Sequence, residues 1–120
     1  AEEKLNSKSW RQFSNIETRI NDLTEDRQYV EAIRIISAGL ENAELAPYQS
    51  KLTIMKNDLV IAGKKYYKKE ISEGETLIDK QDYPSARRHF SKIHRELSGS
   101  SEFGILVQAV ELHLKSLAGK

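Results

Sequence analysis

The chain has 120 residues, 38% hydrophobic and 31% charged, and its 19 basic and 18 acidic side chains give a formal charge of +1. Such a composition excludes a disordered or membrane-embedded chain, and the near-zero charge argues against the long-range field that draws proteins onto nucleic acid. With no cysteine, disulfides, thiolate nucleophiles and cysteine-ligated zinc are excluded.

No apolar run approaches the roughly 20 residues that a spanning helix needs, and no secretory core is visible, so no membrane insertion is expected. The compartment stays unassigned. The chain starts at Ala1 rather than Met, so the expectation is a removed signal or an upstream domain of a larger protein. The length suits one helical domain over residues 1–120 or one elongated repeat unit.

Two prolines and six glycines leave little punctuation, and almost no stretch alternates apolar with polar as a strand would, so the expected class is all-α. Trp10, Phe13, Ile16, Ile20 and Leu23 step by three or four and lay one stripe along a first helix over 9–24. "TEDRQ" breaks the pattern. Tyr29, Ala32, Ile33, Ile36 and Leu40 carry a second helix, ended by Gly39 and the turn "ENAELAP", so that 9–41 reads as an antiparallel helical hairpin. From 47 to 80 a helical period runs through Leu52, Met55, Leu59, Ala62, Tyr66, Ile71, Gly74, Leu77 and Ile78. This predicts one long central helix, with a kink or break at Gly63 as its alternative.

The segment 83–117 holds the C-terminal helices, for a total of about five. Asp82 or Tyr83 stands at the N-cap of the fourth helix, with Pro84 in its first turn, and this helix runs to Leu97. "SGSS" follows as a loop, and Ser100 or Ser101 can cap a fifth helix over 102–117.

The two halves echo each other. Tyr29, Ala32 and Ile36 match Tyr83, Ala86 and Phe90, each set following a polar turn and each placing its three residues on one helix face. In "EGETLIDKQDYPSARRHFSKI", the residues Gly74, Leu77, Tyr83, Ala86, Phe90 and Ile93 stand in the pattern of small and large positions that resembles the tetratricopeptide repeat family. Ile16, Ile20, Leu23, Tyr29, Ala32, Ile36 and Gly39 form a looser copy, with Ile20 where the family usually has a small residue. The copies are 54 residues apart instead of the repeat's usual 34 or so, so the resemblance implies helical hairpins joined by a long helix, not a regular array.

That resemblance also implies a peptide-binding groove on the first helix of each hairpin, here Glu17, Asn21, Lys68, Glu75 and Asp79. Only Asn21 fits the version of the groove that grips a peptide carboxylate, and Glu17 replaces a lysine of that version. The implied partner is another protein or peptide.

"GKKYYKKE" places Lys64, Lys65, Lys68 and Lys69 on one side of the long helix and Tyr66 on the other. Aromatic and basic groups therefore do not interleave, as a nucleic-acid surface would have them, and the lysines read as the solvated back of the helix. Their like-charge i,i+4 pairs find relief only from Glu70, Glu73 and Glu75. With Arg87, Arg88, Lys92 and Arg95 of the fourth helix they define a composite basic patch. The competing functional reading rests on that patch: a basic helical nucleic-acid-binding or regulatory subunit.

His89, His94 and His113 show no ligand spacing such as His-Glu-x-x-His, and no serine lies in a nucleophile-elbow context. No metal, cofactor or catalytic residue is expected. The fifth helix is apolar on two sides, Phe103, Leu106, Val107, Val110, Leu114 and Leu117 on one and Ile105, Ala109 and Leu112 on the other. A helix apolar on two sides needs neighbours on both. The second face is either covered within the domain by the first hairpin folding back, or is an assembly face for a following repeat of a longer protein or for a second copy, as in a homo-dimer. The expected function is a non-enzymatic interaction or assembly module.

Overall fold

In the computed structural model the backbone is described for residues 2–120 and the side chains from Lys8 onward. Five α-helices account for most of this chain, and no strand occurs among the described residues: α1 (Glu2–Glu25), α2 (Tyr29–Glu41), α3 (Gln49–Asp79), α4 (Tyr83–Leu97) and α5 (Gly104–Leu117). The chain divides into two compact units, residues 1–60 and 61–120, each with its own core. None of the described helices is long and apolar enough to cross a membrane.

In the first unit Phe13 and Ile20 of α1, Tyr29, Ala32, Ile33 and Ile36 of α2, and Leu52 and Leu59 of α3 are buried. Trp10 corrects the stripe read from sequence, since it is 56% exposed. Three residues back from Phe13 is a rotation of about 60° around the helix, away from the Ile16 and Ile20 side. Gly39 lies buried in the last turn of α2, which ends at Glu41 with the Asn42 amide donating to Gly39 O (3.1 Å), and an added Cβ there would come 3.3 Å from Ile16 Cδ1.

"ENAELAP" forms more than a turn. Asn42 accepts a hydrogen bond from the Glu44 amide (3.0 Å) and starts a 3-10 helix, Ala43–Tyr48, that buries Leu45. Tyr48 stacks on Phe13 at 4.6 Å between ring centres, with the Lys51 ammonium 5.8 and 5.9 Å from the two rings.

In the second unit Tyr66, Ala86, Phe90, Ile93, Leu97, Phe103, Val110 and Leu117 form the core. Asp82 caps α4 by accepting from the Ser85 amide, with Pro84 in the first turn. Ser100 caps a short 3-10 turn, Ser101–Phe103, ahead of α5. Helix α3 is unbroken at Gly63. Both of its glycines are contact points, Gly63 under the Phe103 ring and Gly74 under the Phe90 ring, each ring closer than 3 Å to where a Cβ would stand.

The turns that end α1 and α3 correspond bond for bond. Arg27 (φ 60°) and Gln81 (φ 61°) both take the left-handed conformation. The Gln28 amide donates to Leu23 O (2.8 Å) and the Arg27 amide to Thr24 O (3.0 Å); the Asp82 amide donates to Leu77 O (2.9 Å) and the Gln81 amide to Ile78 O (2.8 Å). This is one helix-ending motif, in which a left-handed residue folds the next amide back onto the last turn. The residues that follow also agree, with φ/ψ of −92°/64° at Gln28 and −86°/69° at Asp82. The two turns thus share one backbone geometry.

Candidate interaction site on the second unit

The face of α5 that carries Phe103, Val110 and Leu117 is buried, with Leu106, Val107 and Leu114 half-buried beside it. Its other side is open. Ile105 is 83% and Leu112 69% exposed, seven residues apart on one side of the helix, with half-buried Ala109 between them. Within the second unit this second face is uncovered. Within the unit α5 meets α4 through its other sides: the His113 ring stacks on Phe90 at 4.7 Å, and His94 Nε2 lies 3.1 Å from Glu111 Oε1.

The basic residues do not form one patch with a common lining. Arg87, Arg88 and Arg95 line an open depression of about 520 Å³ with Pro84 and Ser91. Lys92 lies apart, 3.9 Å from Glu96. Lys64, Lys65, Lys68 and Lys69 are all exposed, while the face of α3 turned to its neighbours is set by Gly63, Tyr66, Glu70 and Gly74. At about 100° per residue the lysines fall on the far side from those four. The groove residues Glu17 and Asn21 are exposed on α1, and Lys68, Glu75 and Asp79 are exposed on α3.

Glu70 corrects the expectation that it relieves the lysines from the surface. Only 4% of it is exposed, and its Oε2 lies 2.9 Å from His89 Nε2. The signal was present, since Glu70 stands four residues from both Tyr66 and Gly74 and so belongs to their stripe. Tyr66 takes the neighbouring polar contact, donating its hydroxyl to Glu96. Burial raises the pKa of half-buried Tyr67, and Glu75 adds to that shift.

Glu73 joins Glu70 and His89 in a cluster whose possible ligand atoms all lie within 4.8 Å of one another. His89 Nε2 also lies 2.7 Å from the Glu70 carbonyl oxygen. A carbonyl can only accept, so Nε2 carries the proton and offers no lone pair to a metal in this arrangement. His113 is held likewise, its Nδ1 donating to Ala109 O at 3.0 Å. The chemistry of the cluster is that of a buried, hydrogen-bonded pair which fixes α4 against α3.

Comparison with family models, curated proteins and solved structures finds no match to this chain.

Proposed function

We propose that this chain is a non-enzymatic assembly module of tetratricopeptide-like helical hairpins, and that the outer face of α5 pairs it with a second copy. The hairpin reading is supported by the duplicated helix-ending turns at Arg27 and Gln81 and by the contact order between α3 and α4. Tyr66 meets Glu96 and Glu70 meets His89, the order expected of helices that run in opposite directions.

The observation that carries the assembly reading is the exposure of Ile105 and Leu112 on one side of α5. The arrangement of that side supports a second copy as the partner. A twofold axis beside Ala109 sets Ile105 of one copy against Leu112 of the other. The strip is self-complementary in its apolar positions, as an isologous interface must be, and the small Ala109 lets the helices approach at the centre.

Two apolar anchors per copy make a small interface, below about 1,200 Å², so the pairing is concentration-dependent. Light scattering over a concentration series tests it. The expected result is a mass that rises toward twice the monomer in the wild type and stays monomeric for Leu112→Glu at unchanged helix content. A monomer at every concentration in the wild type overturns the proposal.

A further inference from the structure

We infer that the arginine-lined depression on the outer side of α4 is a binding site for a phosphomonoester group. Pro84, Arg87, Arg88, Ser91 and Arg95 line it. Their spacing of three, four or seven residues puts them on one side of a single helix, so the site is built on a rigid element.

The charges there have no answer among the described residues. The two acidic side chains nearest in sequence are engaged elsewhere: Asp82 caps α4, and Glu96 faces Tyr66 and Lys92. No carboxylate pairs with Arg87, Arg88 or Arg95 among the described residues. Three guanidinium groups lining one depression without a counter-charge repel one another, and an anion from outside relieves that repulsion.

Two of the three are held in place by neutral acceptors. Arg87 Nη1 lies 3.4 Å from Leu117 O and Arg88 Nη2 lies 3.0 Å from Ser85 Oγ, each contact using one of the five donors of its fork. The remaining donors stay available on side chains whose freedom is already reduced, which lowers the entropy lost on binding. Ser91 adds a hydroxyl between Arg87 and Arg95.

The residue types select the ligand. Planar guanidinium forks take oxyanions two oxygens at a time, and three forks suit a terminal phosphoryl group with its three oxygens and nearly two negative charges. A phosphodiester offers two such oxygens and one charge. Nucleic acid also needs a basic track along its backbone, whereas the lysines of α3 are not part of this lining and the chain carries only +1 overall. The open depression accommodates a phosphoryl group projecting from a phosphorylated side chain as readily as a small phosphate.

The test is an NMR titration of the full chain, isotopically labelled, at constant ionic strength. The probes are inorganic phosphate, a phosphoserine peptide, its unphosphorylated twin and a single-stranded oligonucleotide. Saturable shifts confined to residues 84–95 are expected for the first two probes. Arg88→Gln and Arg95→Gln should each weaken binding by about tenfold, the loss of one charge-assisted contact, with the amide spectrum otherwise unchanged. Lys68→Gln should have no effect. A response to the peptide but not to inorganic phosphate assigns the group to a phosphorylated side chain; equal responses assign it to a free phosphate. Shifts that fail to saturate, that persist in both arginine variants, or that are stronger for the oligonucleotide overturn the inference.

Discussion

Gly74→Ala sets two effects of known sign against each other. In a helix interior, replacing glycine with alanine gains about 1 kcal/mol, because the glycine backbone loses more freedom on folding. The Cβ added at Gly74 would stand 2.5 Å from Phe90 Cζ, 2.8 Å from Cε1 and 3.0 Å from Cε2. The ring cannot retreat: Phe90 is fully buried and the His113 ring is stacked beside it at 4.7 Å. Overpacking of this kind costs about 1–3 kcal/mol, and the contact distance places the cost toward the upper end, so a net loss of about 1–2 kcal/mol is expected. Gly63→Ala, 2.4 Å from Phe103 Cζ, should behave alike. Gly104→Ala is the control, since nothing lies within 4 Å of its Cβ position and a gain of up to about 1 kcal/mol is expected. Urea unfolding followed by circular dichroism gives all three. In a Phe90→Leu background the Gly74→Ala loss should shrink or change sign, because the colliding ring is gone. Gly74→Ala as stabilising as Gly104→Ala would refute the reasoning.

Three further outcomes follow from the same structure. His89→Leu removes the donor beside the buried Glu70 carboxylate and should lower stability by about 2–4 kcal/mol in the same unfolding assay. Gln81→Gly, which relieves a left-handed residue, should raise stability by about 0.5–1 kcal/mol and raise the thermal midpoint. Glu44 is held below the usual carboxylate range, chiefly by the Gln12 side-chain amide at 2.8 Å and then by Lys8. A lowered folded-state pKa gives a contribution present above the ordinary carboxylate pKa and lost as pH falls through the lowered one. NMR signals of Ser9 and Gln12 should therefore change on acidification at a pH below that of an exposed glutamate, and Glu44→Gln should abolish that step.

The helices were legible because burial here follows the 3.6-residue period closely. Leu52, Leu59 and Tyr66 recur at sevens on α3, and Ala86, Phe90, Ile93 and Leu97 line α4 in the same way. What was misread depended on the partner across the contact. Gly63 looks like a break point to helix propensity, while the structure uses it as the seat of Phe103. Glu70 looks like surface charge until the His89 ring is placed beside it, and Leu45 is hidden in a segment whose asparagine and proline read as turn. Of the basic residues, periodicity put the lysines on the back of α3. It could not show that Arg87, Arg88 and Arg95 share a depression while Lys92 turns to Glu96.

The most direct test of the assembly claim is a distance between copies. The chain has no cysteine, so Ala118→Cys, at an exposed position just past the end of α5, carries a single spin label. Two α5 helices crossing in opposite directions beside Ala109 place the labels about 30 Å apart at 1.5 Å of rise per residue, and Leu112→Glu should erase that peak in a double electron–electron resonance experiment. No distance at any concentration, or a separation near 10–15 Å from helices running side by side in the same direction, would contradict the account.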